Sequence, residues 1–153
     1  MTKVQRLRWN DDLAELYRLR LDVFVTEQHV PQEQEIDERD TMPGTYHVLV
    51  CDPHTRQAMA TGRVFRDASG IVHIGRVAVR RGTRGTGLGS VVMSELATIA
   101  LEEFASEGKV TIELSAQLRA IGFYEKLGYR IINNEVYLDA GIEHKDMAQT
   151  FHR

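Results

Sequence analysis

The sequence predicts an α/β fold, in which a mixed, mostly antiparallel sheet of about six or seven strands carries about four helices on its faces. Three stretches support this prediction: short strand patterns within residues 46–79, a strand, glycine-rich turn and helix within 77–101, and strands around a further helix within 109–147. The chain has 153 residues, of which 42% are hydrophobic, so it is long enough to bury one core. We therefore expect one domain that spans residues 1–153.

Composition argues against several classes of function. The net charge is −3 and 27% of the residues are charged, which does not favour a nucleic-acid partner. The single cysteine, Cys51, excludes an internal disulfide framework and is typical of a reducing compartment. The N-terminal residues contain no apolar run, and no stretch reaches the length of a membrane span. We therefore expect a cytoplasmic protein without a signal peptide or a membrane partner.

The N-terminal residues predict a short strand followed by an amphipathic helix. The strand covers Val4 to Trp9, and Asn10 or Asp11 is a suitable N-cap for the helix. The helix is expected to end near residues 27–30, because Pro31 prevents simple continuation. Residues with the spacing of one buried helical face are Leu13, Leu16, Tyr17, Arg20, Leu21 and Phe24.

An acidic segment follows this helix. Residues 27–40 contain one base, Arg39, and six acids: Glu27, Glu33, Glu35, Asp37, Glu38 and Asp40. Two interpretations remain open at this point. The segment is either a solvated loop or the mouth of a site that attracts a cationic amine.

Three strands separated by turns are predicted next. Gly62, in the second strand, indicates a β-bulge or close packing against a neighbouring element. In the third strand the alternation of apolar residues breaks at Gly75 and Arg76, which predicts a bulge that redirects a backbone group. The predicted strands are 46–51, 58–65 and 71–79.

The histidines of this region show no metal-ligand pattern. None is spaced from another histidine or cysteine as the ligands of one metal ion would be. We therefore expect no metal site. These histidines are His47, His54 and His73.

The glycine-rich turn has the features of an anion-binding site. It lies between a Val-Ala-Val strand end and a helix whose apolar residues recur from Leu88 to Phe104. Such a turn leaves the first amides of the helix without partners, at the positive end of the helix dipole. Glycines allow a phosphate to approach the backbone closely. The turn contains Gly82, Gly85, Gly87 and Gly89 together with Arg80, Arg81 and Arg84.

Two common phosphate-binding motifs do not fit this turn. A Walker-type loop has Lys followed by Ser or Thr after its last glycine, whereas Gly89 is followed by Ser90 and Val91. The G-x-G-x-x-G spacing of dinucleotide-binding folds is absent, and no acidic residue ends a second strand about 20 residues later. An NTPase is therefore disfavoured.

The C-terminal third predicts further strands around a helix. Gly108 is a suitable stop for the preceding helix. The predicted elements are a strand at Lys109 to Leu114, a helix that opens at Ser115 and runs to Leu127, and hairpin strands at 129–132 and 136–138 with a turn at Asn133 and Asn134.

Three motifs together resemble those of one enzyme family. They are Val77-Ala78-Val79 followed by Arg84-x-x-Gly87-x-Gly89; Arg20-x-x-Val23-Phe24-x-x-Glu27-Gln28 followed by Pro31, Glu35 and residues 37–40; and Ala116-Gln117 with the later Phe123-Tyr124-x-Lys126-Leu127-Gly128-Tyr129. This combination resembles the GNAT superfamily of acetyl-CoA-dependent N-acetyltransferases, in its ElaA-like and YjcF-like branch. The resemblance covers nearly the whole chain.

The resemblance implies acetyl transfer from acetyl-CoA, as co-substrate and without a metal, to a primary amine of a small molecule such as an aminosugar or a polyamine. In the family, the strand before the turn presents backbone groups to the pantetheine arm, and the turn binds the pyrophosphate. Lys126 is either a solvent-exposed lysine or one that reaches a phosphate. Carried over to this chain, the cofactor-binding residues are Val77, Ala78, Val79, Arg84, Gly85, Thr86, Gly87, Leu88, Gly89, Ser90, Gln117 and Lys126.

The chemistry of amide formation and the resemblance together suggest catalytic residues. Tyr124 is predicted to donate a proton or a hydrogen bond to the leaving thiolate, with a purely structural core tyrosine as the alternative. A base must accept the proton of the acceptor ammonium. Glu27 is the first choice for this base, and Glu113, His73 and His144 are the other candidates. Backbone carbonyls and water provide a route without a dedicated residue.

Several alternatives stay open. Cys51 follows an apolar strand and has no adjacent base, so we expect direct transfer in a ternary complex and no covalent cysteine intermediate. The acceptor is alternatively a protein lysine or N-terminal amine, or the protein is a non-catalytic acyl-CoA-binding regulatory module. The C-terminal strands can pair with a second copy of the chain, so a homodimer is considered as well.

Overall fold

The computed structural model describes residues 2–153, apart from the side chains of residues 33 and 34. Within this part of the chain, seven strands form one sheet in the order β1-β2-β3-β4-β5-β7-β6. Neighbouring strands are antiparallel except for the parallel pair β4 and β5. The predicted α/β class and mixed sheet are therefore confirmed. The strands are β1 Lys3–Arg8, β2 Tyr46–Cys51, β3 Ala58–Arg66, β4 Val72–Val79, β5 Lys109–Gln117, β6 Arg130–Asp139 and β7 Ile142–His152.

Helices cover both faces of the sheet. Val48 and Val50 of β2 belong to the core that contains α3, whereas Leu49 belongs to the core that contains α1. Since successive residues of a strand point to opposite faces, α3 and α1 lie on opposite sides of the sheet. The helices are α1 Ala14–Arg20, which continues as a π-helix over Leu21–Glu27, α2 Gln32–Glu35, α3 Leu88–Phe104 and α4 Ile121–Lys126, with 3-10 turns at Glu38–Thr41 and Leu118–Ala120.

The sheet opens between β4 and β5. These strands pair only from Val72 opposite Ile112 to Ile74 opposite Leu114, although β4 continues to Val79 and β5 to Gln117. On its other edge β4 stays paired with β3 as far as Val79. The two strands therefore diverge like a wedge, and the backbone of β4 beyond Ile74 is left without a strand partner on the β5 side.

A bulge lies where the wedge begins, as the sequence predicts. Arg63 of β3 pairs with Gly75, and Thr61 pairs with Ala78, so β4 contains one more residue than β3 over this interval. Arg76, within the bulge, has a φ of 53°. The prediction of a bulge at Gly75 and Arg76 is confirmed.

Gly62 is needed for close packing of α3 on the sheet. A Cβ atom at this position would lie 2.8 Å from Leu96 Cδ1 and 2.9 Å from Val92 Cγ1. Glycine thus allows α3 to approach β3 more closely than any other residue would.

Four local predictions are wrong. The helix before β5, α3, ends at Phe104 with Ala105 as its C-cap, so Gly108 does not stop it.

The second wrong prediction is the N-cap of α1. The cap position is Leu13, and neither Asn10 nor Asp11 caps the helix. The carboxylate of Asp11 instead accepts a hydrogen bond from the Arg8 amide at 2.7 Å, which closes the turn after β1. The helix therefore starts after this turn, beyond the predicted cap.

The predicted helix start at Ser115 is also wrong. Residues 115–117 are extended and complete β5, because β7 pairs with them: Ser115 lies opposite Asp146, and Gln117 lies opposite His144. The partner strand supplies their backbone hydrogen bonds, and α4 begins only at Ile121. Non-local pairing thus replaces the local helical pattern.

The predicted hairpin turn at Asn133 and Asn134 is wrong as well. Residues 130–139 form one strand, β6, whose register against β7 shifts on both sides of Asn133. The chain reverses later, at Ala140 and Gly141, which have φ values of 51° and 79°. Because β7 pairs with β6 on both sides of the irregular stretch, the two asparagines lie within a strand.

No helix within residues 2–153 combines the length and the apolar character that crossing a membrane requires.

Candidate active site

A cleft of about 760 Å³ occupies the wedge between β4 and β5. Its walls come from the bulged half of β4, the glycine-rich loop, the first turn of α3, the end of β5 and α4. Thr86 and Lys126 are not among the residues that line it, and Lys126 is exposed. The other predicted cofactor-binding residues and Tyr124 do line it: Val77, Ala78, Val79, Arg84, Gly85, Gly87, Leu88, Gly89, Ser90, Gln117 and Tyr124.

One end of the cleft is formed by the N-terminus of α3, a helix of 17 residues. Gly87 occupies the N-cap with a φ of 84° and offers no side-chain cap. The first helical hydrogen bond runs from the Val91 amide to the Gly87 carbonyl at 3.2 Å. The amides of residues 88–90 therefore have no helical acceptor and point out of the helix end, where the dipole favours an anion.

Arg84 is held in place by Glu27. Its Nη1 lies 2.6 Å from Glu27 Oε2, its Nη2 donates to Glu27 Oε1 at 2.8 Å, and its Nε donates to the Val79 carbonyl at 3.1 Å. The pair ties the glycine-rich loop to the end of the π-helix. The hydrogen bond from Arg84 outweighs burial and lowers the pKa of Glu27. Glu27 lines a smaller adjoining cavity of about 450 Å³ and does not line the main cleft. This geometry does not favour Glu27 as the base.

The acidic segment forms a buried ionic cluster with arginines from the sheet and α1. Arg20 donates from Nε to Glu35 at 2.7 Å and from Nη1 and Nη2 to Asp40 at 2.8 and 3.0 Å. Arg63 donates to Asp37 at 2.8 Å and to Asp40 at 2.9 Å.

Neither of the two interpretations that the sequence left open, a solvated loop or an anionic mouth, describes the whole acidic segment 27–40. Asp37 and Asp40 are bound by arginines, so they do not form a free anionic mouth, and Asp40 is fully buried. Glu38 is exposed, and the side chain of Glu33 lies outside the described residues. Glu35 is the member of the cluster's acids that lines the cleft, and it is paired with Arg20.

The carboxylates of this cluster differ in their pKa values. Burial opposes ionisation of Asp40, but hydrogen bonds and charges from Arg20 and Arg63 outweigh it and hold its pKa below the ordinary value. Burial raises the pKa of Glu35 despite its hydrogen bond with Arg20. Of these two carboxylates, Asp40 is well compensated by arginines and Glu35 is less so.

Tyr124 lies in the cleft wall among other aromatic rings. Its ring centroid is 5.0 Å from that of Phe123 and 6.1 Å from that of Tyr129. Burial raises the pKa of Tyr124 to about 12. The phenol therefore stays protonated throughout the neutral range and can donate its proton or a hydrogen bond to a group in the cleft.

The four candidate bases occupy different places. His144 lines the cleft, with its side chain buried against β5 and β6. His73 pairs with Asp67 at 2.7 Å and is not a lining residue, and Glu113 on β5 is not one either. The structure thus places His144 and Tyr124 in the lining of one cleft and leaves the other candidates outside it.

Several lining residues were not among the predicted site residues, although Gln28 and Phe123 belong to the motifs that carry the resemblance. Gln28 accepts a hydrogen bond at 3.0 Å from Gln117, which joins the π-helix to the end of β5. Phe123 packs against Gly89, where a Cβ atom would lie 3.1 Å from its Cζ atom. Arg119 borders both cavities. These side chains converge only because the sheet brings the ends of distant elements together.

Cys51 is not among the lining residues, and burial raises the pKa of its thiol. Among the side chains that the structure describes, no three of His, Cys, Asp or Glu are grouped so as to hold a metal ion.

Comparison with known proteins agrees with this geometry. The profile of the acetyltransferase (GNAT) domain matches residues 12–151. The chain is 36% identical to the uncharacterized N-acetyltransferase YjcF of Bacillus subtilis, over 90% of this chain and 91% of that protein.

Two solved structures are similar to this chain in both fold and sequence. The crystal structure of an acyl-CoA N-acyltransferase from Pseudomonas aeruginosa superposes with a TM-score of 0.85 at 30% identity, over 97% of this chain and 99% of that one. Escherichia coli ElaA superposes with a TM-score of 0.84 at 29% identity, over the same shares. The chain therefore belongs to the GNAT family of acyltransferases, which use acyl-CoA as co-substrate.

Proposed function

We propose that this protein transfers the acetyl group of acetyl-CoA directly to a primary amine of a small molecule, such as an aminosugar or a polyamine. The observation that carries the proposal is the cleft between β4 and β5. It has free helix amides at one end and a protonated tyrosine in its wall. Those are the groups that a diphosphate and a leaving thiolate require.

The donor would lie along β4. The diphosphate would accept hydrogen bonds from the amides of residues 88–90, in a loop where Gly85 and Gly87 leave the backbone open. The backbone of residues 77–79 has no strand partner on the β5 side, so it can bond the amides of the pantetheine arm. Thr86 and Lys126 lie outside the cleft lining, so any contact they make would be with the nucleotide end.

Tyr124 would protonate the CoA sulfur as the thioester breaks. Its phenol carries the proton that this step needs, and it lies in the same cleft as the bulged backbone of β4. Direct transfer is favoured over a cysteine intermediate, because Cys51 is not a cleft residue and its thiol has a raised pKa.

Thermal denaturation with acetyl-CoA, CoA or ATP, without added metal, tests donor binding. A ligand at about 100 times its dissociation constant adds about 2.7 kcal/mol, which corresponds to a rise in Tm of roughly 5–10 °C for a domain of this size. We expect this rise with both CoA species and not with ATP. An equal rise with ATP would instead indicate a general nucleotide site.

Ser90→Asp gives a sharper version of the test. An acid in the first turn of α3 suits the helix dipole, so the unliganded protein should keep its Tm. The same charge repels the diphosphate, so the rise with acetyl-CoA should disappear. Ser94→Asp, one turn further along α3 and exposed, is the matched control and should keep the rise. If Ser90→Asp binds acetyl-CoA normally, the helix end is not the phosphate site.

An acceptor screen separates the remaining alternatives. We expect turnover with small amines such as spermidine or glucosamine. Turnover on lysine peptides or N-terminal amines alone would favour a protein acceptor, and binding of acetyl-CoA without turnover on any amine would favour a regulatory module. Cytoplasmic location stays a prediction that these assays do not address.

The homodimer also stays a prediction. β6 is an edge strand of the sheet and exposes Ile132, Val136 and Leu138. Light scattering of the purified protein tests it, and a monomeric mass at micromolar concentration would contradict it.

A further inference from the structure

We infer that His144 is the base that accepts the proton of the acceptor amine. The inference deepens the proposed function and depends on it, because it assigns the proton acceptor for the same reaction. His144 lies on β7, directly opposite Gln117 of β5 and Tyr137 of β6, and it lines the cleft with 7% of its surface exposed.

The hydrogen bond of His144 defines which nitrogen can act. Its Nδ1 lies 2.7 Å from the carbonyl oxygen of Ile142. A carbonyl oxygen only accepts, so Nδ1 carries the proton and donates it. Nε2 of the neutral ring is then the nitrogen with a free lone pair, which is the form that a base requires.

Tyr137 holds the imidazole ring in one orientation. The two rings stack with centroids 6.0 Å apart and an angle of 21° between their planes. The Tyr137 hydroxyl donates to Asp146 at 2.6 Å and is also hydrogen-bonded to Ser115, which lines the cleft. The ring is thus fixed on one side by a carbonyl and on another by a tyrosine that is itself anchored. A base in an active site benefits from such orientation.

Three other acids and bases at or near the cleft are already bonded, and Asp139 at the end of β6 is a further carboxylate that lines it. Glu27 is bound by Arg84, and Glu35 is buried against Arg20. His73 is bound by Asp67 outside the cleft lining. Charged and titratable groups that flank His144 on β6 and β7 or line the same cleft are Tyr137 and Asp139 on β6, Glu143, Lys145 and Asp146 on β7, Arg119 after β5, Tyr124 on α4, and Glu35, Arg76 and Arg84 elsewhere in the lining.

The proposed step conserves atoms and charge. The amine nitrogen bonds to the acetyl carbon, its proton passes to His144 Nε2, and the C–S bond breaks as the sulfur takes the proton of Tyr124. The imidazolium then releases its proton and the phenolate regains one through water. The products are the N-acetylated amine and CoA thiol, with both side chains restored.

His144→Asn separates a catalytic role from a structural one. The asparagine amide can keep the hydrogen bond to the Ile142 carbonyl, but it has no group in place of Nε2. A structural role therefore predicts a nearly normal enzyme, whereas a base predicts a large loss of turnover. His144→Gln serves as a second variant with the opposite geometry, and His73→Gln is the matched control outside the cleft.

The wild type is first tested with spermidine, glucosamine and n-butylamine, and the amine that it acetylates fastest is used as the substrate. The assay then measures kcat/KM for this amine at pH 5 to 9. We expect kcat/KM of His144→Asn to fall by about 10²–10⁴ at neutral pH. The rise in Tm with acetyl-CoA should be kept, which shows that the variant folds and binds the donor.

Two results would overturn the inference, and they differ. If the wild type binds acetyl-CoA and acetylates an amine, while His144→Asn and His144→Gln keep its rate, then His144 is not the base and the proposed function stands. If the wild type acetylates no amine of the panel, the small-molecule function itself fails, and the assignment of His144 fails with it.

Discussion

Replacing Arg20 with methionine should strongly destabilise this protein. The guanidinium is 1% exposed and donates to the carboxylates of Glu35 and Asp40 and to the Glu35 carbonyl, the last at 2.7 Å. Methionine keeps an unbranched apolar chain in the same space but none of these hydrogen bonds. It therefore tests the charge and its bonds with little change in packing.

The size of the effect follows from the two carboxylates that remain. Arg63 still contacts Asp40 at 2.9 Å, whereas the remaining arginine near Glu35 is Arg76, whose Nε lies 3.5 Å from its carboxylate. Removing one partner of a buried ion pair costs about 3–5 kcal/mol. This cost is a large part of the free energy of unfolding of a typical domain, roughly 5–15 kcal/mol. It corresponds to a fall in Tm of roughly 6–20 °C.

Urea denaturation at pH 7 measures this loss, with Arg18→Met as the matched control. Arg18 lies two residues away on α1, pairs with Glu15 and is largely exposed, so its replacement should change stability by less than about 0.5 kcal/mol. If Arg20→Met unfolds at the same urea concentration as Arg18→Met, the buried cluster does not stabilise the fold.

The loss should also depend on pH, with a definite sign. In the wild type the lowered pKa of Asp40 adds stability above its unfolded pKa, and this stability is lost as the pH falls through the folded pKa. Without Arg20 the folded pKa values of Asp40 and Glu35 should both rise, because burial then acts with less compensation. Protonation of these two carboxylates removes the uncompensated buried charges of Arg20→Met. The difference in the free energy of unfolding between the wild type and this variant should therefore become smaller as the pH falls from 7 towards 4. A deficit that grows on acidification would refute this reasoning.

Two further predictions concern the catalytic residues. Tyr124→Phe should keep the rise in Tm with acetyl-CoA and lower kcat by about 10²–10⁴. The control is Tyr129→Phe, which removes a buried hydroxyl without a partner in the described structure. If Tyr124→Phe has the kcat of the wild type, the role of Tyr124 is structural. Glu27→Gln should keep kcat within about threefold of the wild type, because the carboxylate is bound by Arg84 and lies outside the main cleft. A fall in kcat by orders of magnitude, with acetyl-CoA binding kept, would instead identify Glu27 as the base.

Local patterns were sufficient to predict the strand, glycine-rich turn and helix start that form one end of the cleft. The turn from β4 into α3 depends on glycine spacing and helical periodicity, both of which act over a few residues. Leu88, Gly89 and Ser90 could therefore be assigned from the sequence to the first turn of a helix. The bulge at Gly75 and Arg76 was predictable for the same reason, since it interrupts the alternation within one strand.

The C-terminal elements were predicted less well, because long-range pairing decides them. Ser115 to Gln117 have the local pattern of a helix start but pair with β7, and Asn133 and Asn134 have the composition of a turn but lie in β6. In each case a partner strand supplied backbone hydrogen bonds that no local pattern specifies.

The part of the cleft next to the acidic segment depends on tertiary structure in the same way. The sequence by itself established that an acidic segment follows a helix with Arg20 on its buried face. Only the fold placed Arg20 and Arg63 against those acids, and thereby changed a predicted anionic surface into a buried ionic cluster. Only the fold brought His144 into the cleft with Tyr124. The physical reason is that side-chain charge and proton transfer depend on distances in space, which for these residues are set by the order and register of the strands.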